Sequence, residues 1–202
     1  MKSPDQYIYT RSGKKIDPTN IKPEDIDIKD IAYALAGINR YGGHSRVTVA
    51  VHSVATAWVA KEMGYDILTQ QWALLHDAAE AYFGDVPRPM QMFVGGGWRM
   101  YYERCESAII DSLLSYQHAE TLHYSAWVKD EVKAIDHALV APEMEDGPGY
   151  PEDGEVELCG ELAKMCVNNL DYVLQLVTFH HYCDGGEYLF LEVAKELGIK
   201  GA

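Results

Sequence analysis

The sequence predicts an all-α protein, a helical bundle with a short β-hairpin at its N terminus. From Pro23 onward, apolar residues recur at helical spacing in consecutive segments, and glycine or proline separates most segments from the next. Before Pro23, residues 7–10 and 15–16 are short β-rich stretches on either side of a turn that contains Gly13. These two observations define the fold class.

The predicted helices have recognisable start and stop signals. Asp27 can cap the first helix, Gly64 and Gly84 follow the second and third, and Pro87 and Pro89 then predict a turn. The predicted helices cover residues 28–39, 48–63, 67–83, 98–116, 124–141, 155–177 and 187–197.

The length and composition favour one domain. A chain of 202 residues that is 48% hydrophobic can build one substantial core. We therefore expect a single domain over residues 1–202, with a β-rich segment at 1–25, a helical core at 26–143 and a C-terminal loop and helices at 144–202.

The charge balance restricts the partners. With 17 basic against 31 acidic residues, the net charge of -14 argues against a nucleic-acid polymer or an anionic membrane surface as the main partner. The four cysteines form no Cys-x-x-Cys pair, and no apolar run reaches the roughly 20 residues that span a bilayer. These features predict a cytoplasmic protein that binds a small molecule.

His76 and Asp77 are the most informative pair in the chain. They are adjacent within an apolar, helix-forming run, and Glu80 follows at a spacing of four and three residues. Ionisable groups in such a run are costly to bury unless something compensates their charge, and a bound metal ion does so. The spacing predicts a cluster on one helix face.

Two further residues can complete a metal site. His52 lies among small apolar residues in the preceding predicted helix, and Asp136 lies in a later one. Packed helices can bring such residues together in a core. Two imidazoles and two carboxylates suit Mn, Fe, Co, Ni or Zn ahead of Ca. Taken singly, His52 also fits a core histidine and Asp136 an exposed helix residue.

The order His52, His76-Asp77, Asp136 along three helices resembles the HD superfamily of metal-dependent phosphohydrolases. The resemblance covers residues 26–143, and the run Leu74-Leu75-His76-Asp77-Ala78 with Gly84-Asp85-Val86-Pro87 is similar to its small nucleotidase branch. It implies an HD-domain bundle and a divalent metal, with Mg added to the candidates. The implied ligands are His52, His76, Asp77 and Asp136.

The resemblance also implies roles around the metal. Glu80 would position the attacking water, and Asp85 would contact the sugar or the leaving oxygen. Arg40 and Arg46 are candidate phosphate contacts. A divalent ion polarises a phosphoryl oxygen and lowers the pKa of water, so no covalent nucleophile is needed.

The segment after the metal helix offers further substrate contacts. Arg88 between two prolines could hold a phosphate bidentately, although a solvated surface turn explains it equally well. Pro89 and Ile38 could form an apolar wall for a base, although core packing explains both as well.

The resembling proteins include bacterial 5′-deoxynucleotidases and phage dATP triphosphohydrolases, so an origin in a phage genome is compatible with the sequence. The leading hypothesis is a dNTP triphosphohydrolase that releases deoxynucleoside and triphosphate. A 5′-deoxynucleotidase acting on monophosphates and a non-catalytic nucleotide sensor are the alternatives. A homo-oligomer is expected, since small members of the superfamily commonly assemble.

Overall fold

The computed structural model describes residues 6–145 and 184–202. The predicted N-terminal hairpin is present: β1 (Ile8–Tyr9) pairs antiparallel with β2 (Lys15–Ile16) across a turn in which Gly13 has φ +85°. Ser12 ties the hairpin to the first helix, because its backbone N–H and its hydroxyl donate to the Asp30 carboxylate at 2.8 and 2.6 Å.

The described remainder is helical, which confirms the predicted all-α class with its short hairpin. The helices are α1 (Ile28–Ala36), α2 (Val49–Glu62), α3 (Ile67–Leu75), α4 (Glu80–Phe83), α5 (Arg88–Val94), α6 (Gly96–Leu113), α7 (Tyr116–Tyr124), α8 (Ala126–Glu145) and α9 (Glu187–Glu196). Two short 3-10 turns, Pro23–Asp25 and Tyr41–Gly43, lie between them.

Two predicted boundaries were wrong for local reasons. The prolines at 87 and 89 were expected to force a turn, but they begin α5, because proline is compatible with the first turn of a helix. The stretch expected to separate residues 98–116 from 124–141 forms α7 instead, and Ser115 caps it by accepting from the His118 N–H at 3.3 Å.

The end of α8 also differs from the prediction. An end at Ala141 was expected before Pro142, yet the helix continues to Glu145. Glu143 contacts Arg40, Tyr41 and His52, and these contacts hold the last turn in place.

The helix α2 forms the centre of the bundle and packs against α1, α3, α8 and α9. Ten of its residues, on all sides, are buried, as expected for a helix surrounded by others. Large buried side chains from the neighbours complete the core, among them Ile31, Leu74, Ile135 and Phe190. His52 on α2 is therefore surrounded by the bundle.

The predicted helix at 155–177 lies outside the described residues. The division into segments 1–25, 26–143 and 144–202 stays a prediction. Within residues 6–145 and 184–202, no helix is both long and apolar enough to cross a membrane.

Candidate metal centre

His52 is fully buried in the second turn of α2. Thr48 caps this helix, accepting from the Val51 N–H at 3.3 Å. The two ring nitrogens of His52 have different surroundings, since Nδ1 lies 2.6 Å from Glu143 Oε1 whereas Nε2 lies 3.3 Å from His76 Nε2. The Glu143 contact orients the ring and directs Nε2 toward the candidate ligands.

His76 and Asp77 lie where α3 ends, not within a continuous helix. The predicted helix over 67–83 was wrong in this respect, because residues 76–79 form a tight turn between α3 and α4. In this turn the Ala78 and Glu80 N–H groups donate three residues back, to Leu75 and Asp77, at 2.9 Å each. His76 Nδ1 bonds the Ala73 carbonyl at 2.8 Å, so Nε2 faces His52.

Among the described residues, three candidate metal ligands lie together. The ligand atoms of His52, His76 and Asp136 are all within 4.8 Å of one another. From His52 Nε2 the distance is 3.2 Å to Asp136 Oδ1 and 3.6 Å to Asp77 Oδ2. His76 Nε2 lies 3.2 Å from the same Asp77 oxygen. Bonds of about 2.0–2.2 Å to a tetrahedral ion place neighbouring ligand atoms roughly 3.3–3.6 Å apart, so these residues fit a divalent transition metal.

Arg40 binds the carboxylates around this group. Its guanidinium donates to Glu143 Oε2 at 2.9 Å, to Asp77 Oδ2 at 3.2 Å and to Asp136 Oδ1 at 3.4 Å. Sequence reasoning placed Arg40 on the substrate phosphate, whereas here it is held by three carboxylates at the same cavity. These charges raise the pKa of Arg40 despite burial, so it is a fixed cation.

Adjacent Tyr41 strengthens this arrangement. Its φ of +57° is unusual for a bulky residue, and its hydroxyl donates to Glu143 Oε2 at 3.0 Å. A left-handed backbone at a non-glycine residue costs free energy and persists where surrounding contacts compensate it. With this backbone conformation, the neighbouring side chains of Arg40 and Tyr41 both donate to the Glu143 carboxylate.

The charged side chains of this group shift one another's pKa values. Burial and Arg40 oppose protonation of His52, but Glu143 and Asp136 outweigh them and raise its pKa to about 9. Burial disfavours the charged carboxylates, yet His76, His52 and Arg40 lower the pKa of Asp77 to about 2. His52, His76 and Arg40 likewise lower the pKa of Asp136. Without a metal ion, the raised pKa of His52 and the fixed charge of Arg40 therefore favour the ionised forms of Asp77 and Asp136.

Glu80 has the opposite environment. Burial, with the neighbouring charges of Asp77 and Asp85, raises the pKa of Glu80 to about 10. Its Oε2 is buried and has no hydrogen-bond partner among the described residues. Asp85 accepts from the Gly42 N–H at 3.2 Å and joins the loop after Arg40 to the loop after α4. A neutral carboxyl that has no hydrogen-bond partner and lies next to candidate metal ligands is a candidate for proton transfer.

Two of the candidate ligands, Asp77 and Asp136, line a cavity of about 690 Å³, which is large enough for a nucleotide-sized ligand. Among the residues named from the sequence, it is lined by Arg40, Asp77, Glu80, Asp85, Arg88, Pro89 and Asp136. Ile38 and Arg46 lie elsewhere. Ile38 packs against the hydrophobic core, as the alternative explanation allowed, and Arg46 is exposed outside the cavity lining.

Several site residues were not found from the sequence. His137, next to Asp136 on α8, lines the cavity, and its Nε2 accepts from Arg88 at 2.8 Å. Trp98, Tyr102 and Glu106 line it from α6. Their spacing of four residues places them on one helix face, and this signal was available in the sequence.

The comparisons with known proteins place the chain among relatives without an assigned activity. No family model matches the chain. The uncharacterized protein RCAP_rcc00048 of Rhodobacter capsulatus is 29% identical over 166 residues, 79% of this chain and 82% of that protein. The uncharacterized protein YfdR of Escherichia coli K12 is 37% identical over 153 residues, 72% of this chain and 77% of YfdR. At that identity and coverage, the chain belongs to the same family as YfdR.

Proposed function

We propose that the protein is a metal-dependent phosphohydrolase of deoxynucleotides, with dNTP triphosphohydrolysis as its main activity. The observation that carries this proposal is the clustering of His52, His76, Asp77 and Asp136, of which Asp77 and Asp136 line a cavity that also contains the Glu80 carboxyl and several cations. The four residues would hold one divalent ion of the Mn, Fe, Co, Ni, Zn or Mg group. When bound, that ion would polarise a phosphoryl oxygen and acidify water.

Glu80 is the residue we assign to proton transfer. In the absence of a cation the carboxyl holds a proton at neutral pH, because burial and the charges of Asp77 and Asp85 raise its pKa to about 10. A bound cation would offset the charges of Asp77 and Asp136, which contribute to the raised pKa of Glu80. The Glu80 carboxylate could then accept a proton at Oε2. Asp85 lines the same cavity and is our candidate for the sugar or leaving oxygen.

The cations of the cavity favour a polyphosphate over a monophosphate. Arg40 is bound to three carboxylates and so contributes little net positive charge to the site. Two further cations, Arg88 and Lys133, line the cavity, whereas Arg99 in the same lining is paired with Glu103 at 2.8 Å. Charge-assisted hydrogen bonds from Arg88 and Lys133 suit the extended negative charge of a triphosphate. This arrangement supports the triphosphate hypothesis ahead of the 5′-monophosphate one.

Product identification tests the proposal. The chain loaded with Mn, Co, Zn or Mg is incubated with dATP, dGTP, dAMP and dGMP, and the released phosphate species are separated by ion chromatography. The proposal predicts tripolyphosphate from the dNTPs and no product from His76→Ala. Orthophosphate from the monophosphates alone would instead indicate a 5′-deoxynucleotidase. Tight nucleotide binding without any product would indicate a sensor and contradict the enzymatic proposal.

A further inference from the structure

One face of α6 forms a wall of the cavity. Trp98, Tyr102 and Glu106 follow one another at four-residue spacing, and all three line the cavity that contains Asp77, Glu80 and Asp136. Tyr102 lines the same cavity as Asp77 and Glu80, and burial together with the charges of these two residues raises the pKa of its phenol. The face thus combines two aromatic rings with one carboxylate.

The Trp98 and Tyr102 rings pack against each other, and Trp98 also packs against Phe83. Trp98 and Tyr102 lie 5.1 Å apart between ring centroids with an interplanar angle of 34°, and Phe83 packs edge-on against Trp98 at 6.3 Å. Trp98 is only partly buried, although it packs against both neighbours. A supported indole with an accessible face at a cavity is suited to stack a planar heterocycle.

The Glu106 carboxylate at the end of this face adds a hydrogen-bond acceptor to the cavity wall. Glu106 is partly buried and lines the cavity, and burial raises its pKa to about 7. A desolvated carboxylate that faces a cavity is stabilised by N–H donors. The amino groups of adenine and cytosine are such donors, whereas thymine presents a carbonyl oxygen at the corresponding position.

We propose that the cavity face of α6 is a nucleobase subsite in which Trp98 and Tyr102 stack the base and Glu106 accepts from its exocyclic amine. This inference rests on the proposed function, which supplies the phosphate end of the ligand. It assigns a substrate class, nucleotides with an amino-substituted purine. Purines offer more stacking area than pyrimidines, and the carboxylate disfavours thymine.

Nucleosides without phosphate test the subsite apart from hydrolysis. Binding of deoxyadenosine and thymidine to the metal-loaded chain is measured by equilibrium dialysis. We expect deoxyadenosine to bind roughly tenfold more tightly than thymidine. Trp98→Ala should weaken deoxyadenosine binding by roughly tenfold to a hundredfold, and Trp98→Phe should restore most of it. Tyr101→Ala is the control, since this α6 aromatic lies outside the cavity lining.

Glu106→Gln tests the polar contact. The preference for deoxyadenosine over thymidine should fall to within about threefold, with the bound metal content unchanged. Loss of metal from Glu106→Gln would instead assign Glu106 to the metal centre and overturn its role toward the base. Equal binding of both nucleosides by the wild type, no detectable binding, or no effect of Trp98→Ala would overturn the subsite. Nucleoside binding that follows these expectations without dNTP hydrolysis would reject the proposed function and keep the subsite.

Discussion

Glu143 Oε1 lies 2.6 Å from His52 Nδ1, although the two residues are 91 positions apart in the chain. Carboxylates in this position fix the orientation of a metal-binding imidazole and raise its basicity. No role was predicted for Glu143, and the structure places it next to the candidate ligand His52. The same carboxylate accepts from Arg40 and Tyr41, so it connects the loop after α1 to the metal centre.

Removing the charge of Glu143 should weaken metal binding without removing a ligand. Glu143→Gln is expected to lower the affinity for Zn²⁺ or Mn²⁺ by roughly tenfold to a hundredfold, the usual effect of losing such a supporting contact. Isothermal titration calorimetry measures the affinity directly. Asp130→Asn, an exposed carboxylate on the same helix, is the control. Equal affinities for Glu143→Gln and the wild type would contradict the supporting role.

Metal affinity should rise with pH up to about pH 9. A metal ion requires an unprotonated His52 Nε2, and the raised pKa of His52, about 9, means that this nitrogen is protonated at pH 7 in the metal-free protein. Binding at pH 7 should therefore release a proton, and less should be released as the pH approaches 9. Titration calorimetry in buffers of different ionisation enthalpy counts the proton. Affinity that does not change between pH 7 and 9 would argue against this protonation state.

Glu80 should destabilise the metal-free fold at high pH. Its folded pKa of about 10 lies above the ordinary value of 4.5, so the unfolded state loses the proton first and stability falls as pH rises between these values. Glu80→Gln keeps the shape without the titration. In a chelating buffer, it should melt at a higher temperature than the wild type at pH 8 and at a similar one at pH 4. A lower melting temperature at pH 8 would show that the wild-type carboxylate is favourably bound.

Arg88 should contribute to substrate affinity. Its side chain is 66% exposed at the cavity and bonds His137 Nε2 at 2.8 Å, so it is held near Asp136 without being buried. Arg88→Ala is expected to raise the KM for dATP roughly tenfold, the lower end for a hydrogen bond to a charged group, with a smaller change in kcat. Steady-state kinetics with Arg104→Ala as control tests this, since Arg104 lies outside this cavity lining. An unchanged KM would indicate that Arg88 is a solvated surface residue.

The segment before α9 should be important for stability. Gly185 has φ +67°, and a side chain there would place Cβ 2.2 Å from the Ala36 carbonyl oxygen. Its own carbonyl accepts from the Thr48 hydroxyl, the cap of α2, at 2.6 Å. Gly198 has a similar φ of +69° with no atom near a Cβ. Gly198→Ala should cost about 1 kcal/mol from backbone strain alone, and Gly185→Ala should cost at least about 3 kcal/mol.

Chemical denaturation of the two glycine variants measures this difference. Equal losses would show that the chain shifts to relieve the contact with Ala36. A larger loss for Gly185→Ala would show that this segment is fixed against α1 and the start of α2, the helix that contains His52.

Helical spacing was sufficient to predict most of the fold, because apolar periodicity and glycine stops record local preferences. The helix break at residues 76–79 could not be predicted in this way, since His76, Asp77 and Ala78 all continue a helical pattern. In this turn His76 and Asp77 contact His52 of α2, a tertiary contact that helical spacing does not record. For Ile38 the sequence left two interpretations open, because an apolar residue near a site fits a binding wall and a core equally well.

The candidate ligands were identified from the sequence, but their supporting contacts were not. The pattern of His52, His76, Asp77 and Asp136 is recognisable because histidines in apolar helices are unusual. Glu143, at a helix end, resembles any solvated carboxylate in the sequence, and its role depends on the position of α8 beside α2. The exposed position of Arg46 likewise follows from the loop conformation after Gly43, which the sequence does not specify.

Measuring the metal content of the purified protein shows whether His52, His76, Asp77 and Asp136 bind a divalent ion. The wild-type chain and the His76→Ala and Asp136→Asn variants are purified, incubated with Zn²⁺ or Mn²⁺, dialysed and analysed by inductively coupled plasma mass spectrometry. We expect about one divalent ion per wild-type chain and much less than one in both variants, with folded circular dichroism spectra throughout. A metal-free wild type, or variants that retain the ion as fully as the wild type does, would contradict a metal centre at these residues.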